Sequence, residues 1–214
     1  MIVQEILQAI GVSLKTSGAA ALVASILAVP AALFLSGRDF RGKRAVLLIN
    51  QTWMAAPTVV IGLLFYFLLS RSGPLGRFGL LYTQTAMTIG QVFLILPLIT
   101  GFSYTALRQV DRRARLTALT LGASRRQAGR VVLREAKFAL LVAVLAGFAR
   151  AVSEVGIAMM LGGNIRHATR NITTAIALET AKGEFTNGVV LGAILLAVTL
   201  GINVLVQVGL RSKE

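Results

Sequence analysis

The chain has 214 residues, a length that suits one domain, with 56% apolar and only 14% charged residues; a water-soluble domain carries closer to a quarter charged, so the deficit points to lipid. It has no Cys and a single His, which excludes disulfides and thiolate metal sites and argues against a His-built one. The formal net charge is +14, which in a soluble protein points first to nucleic acid, but these basic residues fall between long apolar runs and read as membrane orientation.

In the opening segment Ile2, Val3, Ile6, Leu7, Ile10 and Leu14 recur at helical spacing, with Gln4, Glu5 and Gln8 between them. That pattern predicts an amphipathic helix lying in the interface. The first basic residue is Lys15, so the charged start of a cleavable signal is missing, and the first span is expected to direct insertion uncut. A spanning helix needs roughly 20 mostly apolar residues. Five stretches qualify, near Ser17–Gly37, Ala45–Ser70, Tyr82–Leu107, Phe138–Leu161 and Gly188–Leu210. The expected fold is therefore an all-α integral membrane protein of about five transmembrane helices plus an N-terminal interfacial helix, one domain over residues 1–214.

Pro30, Pro57 and Pro97 interrupt the first three spans, and each removes a backbone donor. Pro30 reads as a packing kink. Pro57 sits in Ala55-Ala56-Pro57-Thr58, beside Trp53 and Gly62, and two readings stand: a hinge or pathway-lining kink involving Pro57 and Thr58, or ordinary packing. Between the first two spans, Gly37-Arg38-Asp39-Phe40-Arg41-Gly42-Lys43-Arg44 nearly spells a phosphate-binding loop. That motif needs a hydroxyl after its Lys and a strand before it. Here Arg44 and a spanning helix occupy those places, so the segment reads as an orienting loop.

The segments after the first, third and fifth spans hold 15 of the 22 basic residues, against six on the opposite side and Arg150 within a span. The positive-inside rule then predicts an N-terminus outside, a C-terminus in the cytoplasm, and a cytoplasmic segment over residues 108–137. This segment includes Arg112-Arg113-Ala114-Arg115-Leu116-Thr117-Ala118-Leu119-Thr120-Leu121-Gly122-Ala123-Ser124-Arg125-Arg126. It predicts a short basic helix stopped at Gly122 and a second helix capped by Ser124. A connection of that length suits a docking element more than a plain loop.

In the fourth span Arg150 and Glu154 lie four apart on one face. Charges at that depth face the bundle interior or a watery cavity. They read as a mutually neutralising pair, with Ser153 as a hydrogen-bond partner, and the pair can also line a gate. Beyond it, Asn164, Arg166 and Arg170 leave two readings open: polar donors for an anion or a docking protein at the outer mouth, or a plain exposed loop. Lone His167 reads as an exposed loop residue, and Asn171-Ile172-Thr173 as a chance glycosylation triplet.

The Arg108–Lys137 segment resembles the EAA loop of type I ABC importer permeases, a Glu-Ala-Ala triplet, three residues, Gly, nine residues, then Ile-x-Leu-Pro. Aligned on Gly122, the triplet is Leu116-Thr117-Ala118 and the tail Val132-Leu133-Arg134-Glu135, so Ala118 and Gly122 match while the acidic residue and the Leu-Pro do not. The run Gly147-Phe148-Ala149-Arg150-Ala151-Val152-Ser153-Glu154-Val155-Gly156, its continuation Met159 to Arg166, and Thr173-Thr174-Ala175-Ile176 are similar to the tungstate branch of the molybdate, tungstate and sulfate permeases.

The resemblance implies a homodimer with two cytoplasmic ABC ATPases and an extracytoplasmic substrate-binding protein in a prokaryotic cell membrane. It implies a coupling helix with Leu116, Thr117, Ala118, Leu119, Gly122 and Ala123 seated on the ATPase, and ATP and magnesium bound in that partner, with no cofactor on this chain. With no nucleophile–base pair and no metal cluster, the expected function is translocation, with catalysis left to partners; the resemblance implies that the cargo is an oxyanion, tungstate first and otherwise molybdate or sulfate, moved by ATP-driven alternating access. The rival is an ion-gradient-driven secondary transporter or channel, with Arg150 and Glu154 as a relay. An intramembrane enzyme would need a Ser or Asp catalytic pair within the spans, where only Glu154 is acidic.

Overall fold

The computed structural model describes residues 3–110 and 112–211, and the regular elements among them are all helical. They are α1 (Val3–Gly37), α2 (Lys43–Met54), α3 (Thr58–Leu69), a 3-10 turn (Gly76–Phe78), α4 (Gln84–Gln109), α5 (Arg112–Thr120), α6 (Arg125–Glu135), α7 (Lys137–Val152), α8 (Gly156–Gly162), α9 (Ile172–Ala181) and α10 (Phe185–Arg211). Gln4–Gly37, Gln84–Gln109 and Phe185–Val204 are each long and apolar enough to cross a membrane. The pairs α2–α3 and α7–α8 qualify only jointly, bent by 96° and 60°. Counting each pair once gives five spans.

The expected spans Ala45–Ser70 and Phe138–Leu161 are thus broken rather than continuous. At the first break Pro57 is extended, with φ −62° and ψ 129°. It offers no N–H and pushes Ala56 out of the helical region. The second break has no proline. There Ser153 Oγ donates to the Arg150 carbonyl and the Glu154 carboxylate accepts from the Ile157 N–H, so side chains replace the backbone bonds that a helix would make.

The amphipathic start is not a separate interfacial helix either. It runs unbroken into the first span as one 35-residue helix, about 52 Å long and so about 20 Å longer than the hydrocarbon it has to cross. One face of its first half is covered by protein: Ala9, Ser13 and Thr16 are buried, and Ser13 Oγ accepts from the Ile172 N–H at 3.0 Å.

The core is built on close helix contacts. Ala20, Ala24, Ala28 and Ala32 of α1 are fully buried, and their four-residue spacing forms a flat stripe against α4. α4 also packs on α2, α3, α7 and α8. The result has two distinct ends. At one, the start of α1, the turn before α4 and the segment before α9 meet: Tyr82 N–H donates to the Leu161 carbonyl at 2.8 Å, and Gln84 Nε2 to that of Ala168 at 2.7 Å. At the other, Ala32, Leu107, Val132, Ala136 and Leu140 join α1, α4, α6 and α7 in a second apolar cluster.

Candidate functional site

The two breaks lie against each other. A Cβ on Gly156, the first residue of α8, would stand 3.2 Å from Glu154 Oε1 and 3.3 Å from Thr58 Oγ1, the first residue of α3. The halves that follow are packed face to face: a Cβ on Gly62 would reach Met160 Sδ at 2.7 Å and the Ile157 Cα at 3.6 Å. Of the residues singled out at the two breaks, Thr58 is thereby brought near the Glu154 carboxylate. An open depression of about 600 Å³ extends along α3 and α8, lined by Leu63, Tyr66, Tyr82, Met159, Met160 and Ile165. The Tyr66 and Tyr82 hydroxyls stand 3.5 Å apart on its wall.

Arg150 and Glu154 form the pair that their spacing predicts, Nη1 to Oε2 at 2.8 Å. The two ends differ in environment: the Glu154 side chain is 4% exposed and the Arg150 side chain 35%. Glu154 Oε1 also accepts from the Ile157 N–H at 3.2 Å, at the positive end of α8 where a carboxylate is favoured. The Glu154 carbonyl lies 2.9 Å from the hydroxyl of Thr173, brought in by α9. Ser153 does not join the pair, because its hydroxyl is spent on the Arg150 carbonyl at 3.1 Å.

The outer-mouth residues bond within the protein, while the Arg166 side chain stays 58% exposed. Arg166 pairs with Glu5 and His167 Nδ1 meets Gln8 Oε1, both on the first turns of α1. Arg170 Nε donates to Asn164 Oδ1 at 3.1 Å and its Nη2 reaches the Asn164 carbonyl at 3.4 Å. Asn171 is buried as the N-cap of α9, in a reciprocal box with Thr174, which removes it as a glycosylation acceptor.

At the other end, α5 and α6 form the helix pair foreseen between the third and fourth spans. α5 ends in a Schellman turn: Gly122 N–H bonds the Leu119 carbonyl at 3.1 Å and Ala123 N–H that of Ala118 at 3.0 Å. Gly122 sits at φ +85°, which is why a glycine stands there. Ser124 caps α6 in a capping box with Gln127. Ala128 and Val132 of α6 are buried on the bundle, while α5 packs chiefly on α6. Leu116 and Leu121 are left 58% and 82% exposed, Thr117 and Gly122 are exposed, and Ala118, Leu119 and Ala123 are half-covered.

Sequence reasoning missed three participants. Thr173 reaches the break only through the fold. The Glu5–Gln8 face was legible as polar, but its partners were not. Gln91 is a polar residue inside the third span, a visible signal, and it is fully buried with Nε2 on the Ala151 carbonyl at 3.2 Å.

Residues 22–211 match the family model described as "Binding-protein-dependent transport system inner membrane component". The chain is 42% identical over 199 residues to a probable anion ABC transporter permease protein of Haloferax volcanii, covering 91% of this chain and 86% of that one. It is 37% identical over 194 residues to the tungstate uptake system permease protein TupB of Peptoclostridium acidaminophilum, covering 91% and 85%. In fold it is similar to a crystal structure of an amino acid ABC transporter with histidines, at TM-score 0.69 and 16% identity over 98% of this chain and 94% of that one. Broken spans, a projecting basic helix pair and these likenesses agree: the chain belongs to the binding-protein-dependent transport system inner membrane components, the permease subunits of ABC importers.

Proposed function

We propose that this chain carries tungstate, or the kindred oxyanions molybdate and sulfate, across the membrane by ATP-driven alternating access. The observation that carries the coupling is the α5–α6 pair. Two leucines on a basic arm outside the apolar spans are left more than half exposed among the described residues. An ATPase groove would cover them, with small Ala118 and Gly122 permitting close approach. The tungstate reading rests on the TupB relative and on the sequence of the fourth span.

In this reading two copies of the chain meet two cytoplasmic ATPases, which bind the ATP and magnesium, while this chain binds no cofactor. A substrate-binding protein docks at the opposite end, near Asn164, Arg166 and Arg170. The basic end is cytoplasmic, so the N-terminus lies outside. Closure of the ATPases favours one of two arrangements of the spans, and the delivered anion favours the other. Pro57, Thr58, Arg150, Ser153 and Glu154 form the gate between them.

The test is twofold. Tungstate uptake by cells lacking this chain should fall to background, and unchanged uptake would end the oxyanion reading. A Gly122→Trp chain should insert normally yet lose its ATPase on purification. Full retention of the ATPase, or transport that ignores ATP and follows an ion gradient, would favour a secondary transporter.

A further inference from the structure

The α7–α8 break is held from both sides by side chains of other elements. Thr173 of α9 reaches the Glu154 carbonyl at 2.9 Å. From α4, Gln91 Nε2 donates to the Ala151 carbonyl at 3.2 Å, in the last turn of α7, where the chain's own Glu154 N–H also bonds at 3.2 Å. Gln91 is fully buried, and its other amide atom, Oε1, has no protein donor among the described residues. Its neighbour Gly90 takes Ile157 and Leu161 of α8, whose methyls would stand 2.6 and 2.7 Å from a Cβ there. Adjacent positions of α4 therefore grip the two sides of one break. Pro97, further along α4, has its carbonyl taken by Asn50 Nδ2 of α2 at 3.0 Å.

A buried acceptor without a donor raises the energy of the conformer that contains it. The break itself carries donors that are engaged elsewhere in this conformer: the Ser153 hydroxyl is donated to the Arg150 carbonyl, and the Ile157 N–H at the start of α8 to Glu154.

We infer that Gln91 is a positioning residue of the transport cycle: its amide nitrogen holds the end of α7 in this conformer, and its amide oxygen takes up a donor released when the α7–α8 joint changes angle. The inference rests on the alternating-access reading and adds to it the residue that balances the two states. Gln91 touches no substrate in this account. It sets how readily the joint moves.

Gln91→Met fills the same space and removes both polar atoms. In the assembled transporter it should insert normally, melt no lower than the parent, and lower maximal tungstate uptake about tenfold at an unchanged half-saturating concentration. Gln91→His, which keeps a donor and an acceptor, should recover uptake. The chain has no Cys, so Val155→Cys, an exposed position within the break, gives a second readout. Its reactivity with a thiol reagent should change on adding ATP in the parent and stay fixed beside Gln91→Met. Parental uptake by Gln91→Met, or lowered melting that Gln91→His does not repair, overturns the inference. If the parent itself moves no tungstate, the oxyanion reading fails instead. The ATP-dependent labelling then decides the inference alone: the same change with and without Gln91 overturns it.

Discussion

The Arg150–Glu154 pair is asymmetric, and its asymmetry makes a prediction. Arg150→Met would leave an ionised Glu154 with a 4% exposed side chain and only the Ile157 N–H for support; stranding a buried charge costs about 3–5 kcal/mol. Glu154→Gln leaves a guanidinium whose side chain is 35% exposed and keeps an acceptor for Ile157, so its cost is about 1–2 kcal/mol. Melting in detergent should therefore fall further for Arg150→Met, and Glu154→Gln should insert well yet transport poorly. Outside the spans, the hydrogen bond from Lys182, helped by one from Asn187, holds the Glu179 carboxyl below its ordinary 4.5 against the opposing effect of burial. A depressed carboxylate stabilises the fold above the unfolded value and loses that contribution as pH falls through the folded one. The melting difference between parent and Glu179→Gln should be full above pH 4.5 and vanish on acidification below it; a constant difference would refute the linkage. The charged pair was legible because spacing on a helix fixes which residues share a face. The Glu179–Lys182–Asn187 cluster was not, because it depends on the turn between α9 and α10.

At the scale of elements, glycines divide by what surrounds them. A Cβ at Gly90 would stand 2.6 Å from Ile157 Cγ2 and 2.7 Å from Leu161 Cδ1, whereas one at Gly18 meets nothing within 4 Å. Ile157 is β-branched and stiff at χ1, so it cannot step aside. Gly90→Ala should lower stability by about 1–3 kcal/mol through overpacking, while Gly18→Ala should be neutral or raise it by about 0.5–1 kcal/mol through reduced backbone entropy. Thermal melts of both variants check this, and equal shifts would contradict it. The breaks taught a related lesson. Hydrophobicity located the second and fourth spans, but a window of apolar residues averages over a bend. Pro57 marked one break in advance. The other is made by Ser153 and Glu154, whose side chains bond the backbone within one turn, a choice that no periodicity records. The capped α5–Gly122–α6 turn was the opposite case, since glycine at positive φ and a Ser N-cap are local requirements that the sequence shows directly.

The whole molecule has a basic end, around α5 and α6, and an end that carries the start of α1 and the segment before α9. With the basic end cytoplasmic, an impermeant thiol reagent on intact cells should label Arg77→Cys and spare Arg125→Cys; the reverse pattern would invert the orientation. The sequence by itself determined that the chain spans a membrane about five times, which end is basic, and where the basic helix pair lies. These properties follow from the cost of placing charge and unpaired backbone in hydrocarbon, and that cost is read residue by residue. Only the tertiary structure decided that the two broken spans meet, with Thr58 near the Glu154 carboxylate. It also decided that Arg166 and Arg170 bond Glu5 and Asn164, and that Gln91 grips the end of α7. Such pairings join residues as much as 161 positions apart, and lipid-facing hydrophobicity is blind to which helix stands beside which. Packing of small residues and the partners of buried polar groups settle that question, and both exist only once the helices are assembled.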